Sequence, residues 1–173
     1  PLWTPLFQHP ARGDYLAVNS TCRLSLLISR EEIASAVERL AREIERDYAG
    51  RSPLLVGVLN GSFVFLADLV RELNIPLTLD FIRIASYLHR ETTGKVRVVQ
   101  GLRTGVRGKD VLVVEDIVDT GLTTSFLMHY LGRRNSASLK LCALLDKPER
   151  RRVPVHIDYL GFKVPDRFLV GYG

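Results

Sequence analysis

The stretch "VLVVEDIVDTGLTT" (111–124) constrains the fold more than any other part of the chain. Its four leading apolar residues, Val111 to Val114, predict a strand buried on both faces, and such strands belong to parallel sheets covered by helices. The strand delivers the chain straight into Glu115 and Asp116, with Asp119 three residues later, and then into Thr120, Gly121 and Thr123. Capping of a following helix by Asp119 or Thr120 would account for one carboxylate. It does not account for three beside a buried strand, so the arrangement reads as a binding site.

The flanking sequence agrees with an α/β fold. In "SREEIASAVERLAREIERDYAG", Ser29 and Glu32 form a capping box, Ile33, Val37, Leu40, Ile44 and Tyr48 recur at helical spacing, and Gly50 supplies the stop. "SPLLVGVLNGS" predicts a strand broken at Asn60-Gly61, followed by the helix "FVFLADLVREL". "IPLTLDFIRIASY" (75–87) reads as a strand, "LHRETTGKVRVVQG" as a polar loop feeding a short strand at Val96–Val99, and "LTTSFLMHYLG" as a helix. "ASLKLCALLDKP" gives another strand, and "VHIDYLGFKVP" and "RFLVGYG" give short β segments. Strands alternating with helices predict a mostly parallel sheet flanked by helices. With 173 residues and no linker or repeat, the expectation is a single domain over 1–173 in which 1–28 is an irregular, Pro-rich lead-in.

No segment approaches the roughly 20 apolar residues needed to span a bilayer, so no membrane association is expected. Cys22 and Cys142 make neither a disulfide framework nor a metal spacing, which points to a reducing cytoplasm. The net charge of +5 raises nucleic acid as a partner. The basic runs "GRR" (132–134) and "KPERRR" (147–152) lack interleaved aromatics, however, and read as solvated loops. An anionic small molecule is an equally good reason for the charge.

In open α/β sheets ligands gather beyond the carboxyl ends of the strands, where Asp119 to Thr124 falls. A glycine and the start of a helix there offer backbone N–H groups to a phosphate, and the threonines add hydroxyls. Glu115 and Asp116 suit a vicinal diol or Mg²⁺ held through waters, and Asp119 a proton acceptor. The pattern therefore reads as a site for a ribose 5′-phosphate. It is neither a Walker A loop nor a dinucleotide G-x-G-x-x-G.

At these residues the chain resembles the type I phosphoribosyltransferases, whose phosphoribosyl-diphosphate (PRPP) signature "VVEDIVDTGLT" matches. "VGVLNGSFVFLADLVREL", "LDFIRIASY", "LLDKP" and "VPDRFLVGYG" follow in the order found in hypoxanthine-guanine phosphoribosyltransferases, over about Ser29 to the end. The resemblance implies the type I fold with a small hood built from the terminal segments. It also implies purine salvage: transfer of the phosphoribosyl group from PRPP to a 6-oxopurine, giving IMP or GMP and pyrophosphate with Mg²⁺ as cofactor, in a cytoplasmic homodimer or homotetramer.

Carried over, Glu115 and Asp116 attend the ribose hydroxyls and Mg²⁺, Asp119 is the general base facing purine N7, and Asp119, Thr120, Gly121, Leu122 and Thr123 wrap the 5′-phosphate. Lys147 donates to the 6-oxo group, Phe168 stacks on the base, Leu169 presents its backbone to the base edge, and Arg167 lies at the pocket mouth or the pyrophosphate. Taken alone, Lys147 would be a solvated lysine and Phe168 a core residue. Asn60, Gly61 and Ser62 form the pyrophosphate loop, with a cis Leu59–Asn60 bond implied, and Ser86-Tyr87 begin a mobile loop that closes over the site.

Two departures matter. Asn60 stands where many relatives carry Lys, which weakens pyrophosphate binding or alters subunit contacts. The chain stops at Gly173, before the Leu-Asp-Tyr the resemblance places next, and it begins at Pro1 without Met. Either one metal position and guanine recognition lack their residue, or the sequence is clipped; clipping is the expectation favoured. The competing function is a regulator that keeps the fold to sense PRPP or nucleotides and binds RNA or DNA, supported only by the basic runs.

Overall fold

A computed structural model describes residues 6–9, 25–89 and 92–172. Among them, helix α1 (Arg30–Asp47) starts as expected: Ser29 Oγ accepts from the Glu32 amide at 3.1 Å, and Glu32 Oε2 accepts from the Ser29 amide at 2.7 Å. The two bonds satisfy donors that the first turn leaves unpaired. Its stripe of Ile33, Val37, Leu40 and Ile44 is almost completely buried, and Gly50 turns the chain at φ +73°.

The remaining elements are β1 (Leu6–His9), β2 (Ser25–Ile28), β3 (Leu54–Leu59), α2 (Phe63–Glu72), β4 (Thr78–His89), β5 (Thr92–Gln100), β6 (Asp110–Val118), α3 (Leu122–Gly132), β7 (Ser138–Asp146), β8 (Tyr159–Lys163) and β9 (Phe168–Val170). Six strands form one sheet in the order β5-β4-β3-β6-β7-β8. All its pairings are parallel except that of β5 on β4.

The period-2 geometry of a strand distributes the central residues between two cores. Leu112 and Val114 of β6, with Leu55 of β3 and Cys142 and Leu144 of β7, pack under α1 and α2. Val111 and Val113, with Leu54, Val56, Leu141 and Ala143, face Leu127 and Leu131 of α3. This is why "VLVV" carries no polar alternation: both faces are dry. Gly57 lets α2 approach β3, since a Cβ there would press on Leu66 and Phe81.

Two sequence expectations change. The lead-in is not wholly irregular: β1 and β2 pair with each other, and β1 pairs with β9, in a three-stranded antiparallel sheet that forms the hood. The polar stretch after Tyr87 does not run as a loop up to Val96, because β4 extends to His89 and β5 begins at Thr92, making a hairpin. Ser86 pairs with Val96 and Tyr87 with Lys95 in it. Cys22, Arg90, Glu91 and Gly173 lie outside the described residues.

Candidate active site

The acidic end of β6 is still strand. Glu115 pairs with Ala143, and the ladder to β7 continues through Val118. Held on the sheet, Glu115 is buried, and burial, with the neighbouring Asp116 charge, pushes its carboxyl well above the usual carboxylate range. Burial also raises Asp116, against which the amides of Ile117 and Asp116 itself act. Two adjacent carboxyls that resist ionisation need a cation or hydroxyl donors to be comfortable as anions.

After Val118 the chain turns into α3. Gly121 is its N-cap at φ +81°, and no side chain caps the helix. The alternative of Asp119 or Thr120 as N-cap is thereby excluded, and the first-turn amides keep their anion-binding capacity. Thr120 Oγ1 makes only a long contact with the Leu122 amide at 3.4 Å. The turn is held from outside, since the Thr120 carbonyl accepts from the Arg152 and Val153 amides at 2.9 and 3.2 Å. Gly121 has no room for a side chain, because a Cβ would strike the Val153 carbonyl. Thr123 is half-buried on the first turn and Thr124 is buried.

The loop 59–62 lies against the acids. Leu59–Asn60 is a cis bond, as the resemblance implies, and a Cβ on Gly61 would collide with the Asp116 carboxylate. Ser62 differs from expectation. Its side chain is fully buried, and both its hydroxyl and its amide donate to the Val58 carbonyl, at 2.8 and 3.3 Å. Its hydroxyl shapes the loop from within.

Lys147 stands between β7 and a 3-10 turn, Pro148–Arg150, and is 7% exposed, which removes the reading of a solvated lysine. Its amide donates to the Val118 carbonyl at 3.0 Å, which sets it beside the end of β6. Its Nζ donates to the Arg167 carbonyl at 2.5 Å, bringing Lys147 and Arg167 together. Phe168 is 41% exposed on β9 and so is not core. Leu169 pairs with Gln8 and packs on the α1–α2 core.

One residue was missed. Arg150 Nε lies 2.7 Å from Asp119 Oδ1, and its Nη1 lies 3.3 Å from Asp166. The Asp119 contact is one of charge, since Oδ1 is buried without an aligned hydrogen-bond donor. Asp166 and Asp119 together push the Arg150 guanidinium further up. Its neighbour Arg151 contacts Asp146. "KPERRR" is thus partly engaged with the chain's own carboxylates, and Pro148 after Lys147 was the only sequence sign of the turn that aims it.

Among the described residues no three His, Cys, Asp or Glu side chains gather to hold a metal by themselves. The donors present, two hard carboxylates in a buried strand end, fit Mg²⁺ shared with substrate oxygens and waters rather than a protein cage. A cavity framed by Arg30, Val37, Glu38, Asp68 and Arg71 lies between α1 and α2 and includes none of these residues.

Buried Glu115 beside half-buried Asp116, a bare helix N-terminus and a backbone loop around one strand end suit a phosphoribosyl-binding enzyme. The chain belongs to the phosphoribosyltransferase family, whose phosphoribosyl transferase domain matches residues 28–173. Within it, the chain falls with the hypoxanthine-guanine phosphoribosyltransferases. It is 42% identical over 149 residues to the hypoxanthine-guanine phosphoribosyltransferase of Bacillus subtilis, covering 86% of this chain and 83% of that protein. It is 43% identical to the bifunctional protein TilS/HprT of Listeria monocytogenes, where it spans only 23% of the relative's length. The crystal structure of a hypoxanthine-guanine phosphoribosyltransferase from Bacillus anthracis superposes with a TM-score of 0.79 at 47% identity, covering 85% of each chain.

Proposed function

We propose that this chain, as a single domain, transfers the 5-phosphoribosyl group of PRPP to a 6-oxopurine, hypoxanthine or guanine, releasing pyrophosphate and forming IMP or GMP. The observation that carries the reading is the junction of β6 and α3. Buried Glu115 and half-buried Asp116 adjoin an uncapped helix start, and buried Lys147 is tied by its amide to the same strand end.

Each residue then has a task set by its surroundings. The amides of Thr120 to Thr123 and the positive end of α3 bind the 5′-phosphate. Glu115 and Asp116 accept from the ribose hydroxyls, and their negative charge favours the cationic character that develops at C1′. They are also the residues that would hold Mg²⁺, which when bound neutralises the departing pyrophosphate. Asn60 and Gly61 offer backbone donors to that pyrophosphate. Asp119 accepts the N7 proton as the base attacks, Lys147 donates to O6, and exposed Phe168 provides a stacking face. Arg167 and Leu169 complete the base edge through the backbone. The β4–β5 hairpin, with Ser86 and Tyr87, is the segment that would shield the centre from water. A lysine has hydrogens to give and none to accept, so adenine, with NH₂ in place of the oxo group, is a poor substrate.

A homodimer or homotetramer in the cytoplasm accords with this reading. Among the described residues no helix is long and apolar enough to cross a membrane, and Cys142 is a buried free thiol. The regulatory alternative loses the support of "KPERRR", because Arg150 and Arg151 engage Asp119, Asp166 and Asp146, and keeps only exposed Arg133 and Arg134 of "GRR". Asp119→Asn tests the assignment. A general base contributes about 10²- to 10⁴-fold, so kcat should fall by that order while PRPP KM stays close to wild type. A variant retaining most of its kcat would remove Asp119 from that role.

A further inference from the structure

Both side chains that would read the base are occupied by the chain itself. Lys147 Nζ donates to the Arg167 carbonyl at 2.5 Å, and Asp119 Oδ1 lies 2.7 Å from Arg150 Nε. Arg150 also reaches Asp166 at 3.3 Å, two residues before Phe168. One guanidinium therefore bridges the β6–α3 turn and the loop that leads into the hood.

The contact with Asp119 is unequal to that with Asp166. The guanidinium N–H is not aimed at Asp119 Oδ1, which is buried and has no aligned donor, whereas Arg150 hydrogen-bonds Asp166. An aligned donor can displace a misaligned one at modest cost, because Arg150 keeps its second carboxylate. A 6-oxopurine brings such a donor as N7–H and brings O6 to Lys147. The geometry points to Arg150 as a purine-displaced latch: it sits on Asp119 while the base site is empty and shifts to Asp166 alone when a 6-oxopurine binds, holding the loop that carries Phe168. This rests on the 6-oxopurine reading above and adds a positioning residue to it.

The latch competes with the base and not with PRPP, and that sets the test. Purine and PRPP KM values are measured for wild type, Arg150→Gln, Arg150→Lys and Asp166→Asn, each at saturating co-substrate and Mg²⁺. Partly exposed ion pairs are worth up to about 1 kcal/mol, so Arg150→Gln should lower the hypoxanthine KM by up to roughly fivefold and leave that for PRPP unchanged. Arg150→Lys, which restores the charge, should return toward wild type. Asp166→Asn should move the other way and raise the hypoxanthine KM, since Arg150 then has Asp119 as its remaining carboxylate. A merely structural Arg150 would give raised KM values or lost kcat in Arg150→Gln, and that result, or an unchanged hypoxanthine KM, overturns the latch alone. Wild type without oxopurine turnover overturns the functional reading, and the latch with it.

Discussion

Glu115→Gln should make the substrate-free protein more stable and less active at neutral pH. Glu115 is 6% exposed, and burial is the first cause of its raised affinity for a proton, the Asp116 charge the second. The folded state therefore holds a proton on Glu115 that the unfolded chain gives up. For an acid raised in this way, stability is undiminished below the unfolded value and falls as pH rises from there towards the folded value. The slope in that window is about 1.4 kcal/mol per pH unit. The loss at pH 7 cannot exceed the work of keeping the group protonated, about 3.4 kcal/mol taken from its ordinary value of 4.5. Glutamine has the shape of the neutral acid and escapes this term. We expect Glu115→Gln to be more stable than wild type at pH 7, by no more than that bound and visible as a raised Tm, with the difference shrinking towards pH 5. The assay is thermal and urea unfolding of both proteins with chelator from pH 5 to 8, with turnover measured in parallel. A stability difference that does not vary with pH, or a variant less stable than wild type at pH 7, would refute the reasoning.

Three further outcomes follow from local geometry. Gly121→Ala puts a Cβ where φ is +81° and the Val153 carbonyl stands, so it should lose at least about 1–2 kcal/mol of stability and weaken PRPP binding, read by denaturation and calorimetry. Ser29→Ala removes one half of the α1 capping box, whose bonds run only between Ser29 and Glu32, and should cost about 1 kcal/mol in urea unfolding with kcat unchanged. Asp47 accepts from Lys140 and Tyr159, which hold its carboxyl down at about 2, so its stabilisation is present above pH 4 and is lost as pH falls towards 2. Asp47→Asn should therefore flatten the acid limb of the stability curve between those values, as followed by circular dichroism.

What the sequence made legible was whatever local chemistry determines. The Ser29–Glu32 box and the dry "VLVV" strand depend on spacing alone, and both stand where they were expected. The acids were read as following the strand. Glu115 and Asp116 lie inside it and only Asp119 follows, because β7 keeps pairing as far as Asp146, and no local signal reports a partner strand's length. The hairpin after Tyr87 was missed because β5 is an edge strand, and its start, "TTGK", carries no apolar alternation. β1 escaped notice for a different reason: four residues paired to β9, some 160 positions away, have little intrinsic β signal. Ser62 looked like a ligand donor by its place in the loop, but an inward rotamer gives its hydroxyl to Val58. Arg150 was hidden in a basic run, and only the 3-10 turn after Lys147 directs it towards Asp119.

The measurement that tests the central claim most directly is product formation from PRPP and Mg²⁺ with hypoxanthine, guanine, xanthine and adenine in parallel. The account predicts nucleoside 5′-monophosphate and pyrophosphate with hypoxanthine or guanine and no comparable turnover with adenine, because Lys147 can only donate to the 6-position. Adenine turned over as well as the oxopurines, or no turnover with any base alongside tight, salt-sensitive RNA binding, would contradict it.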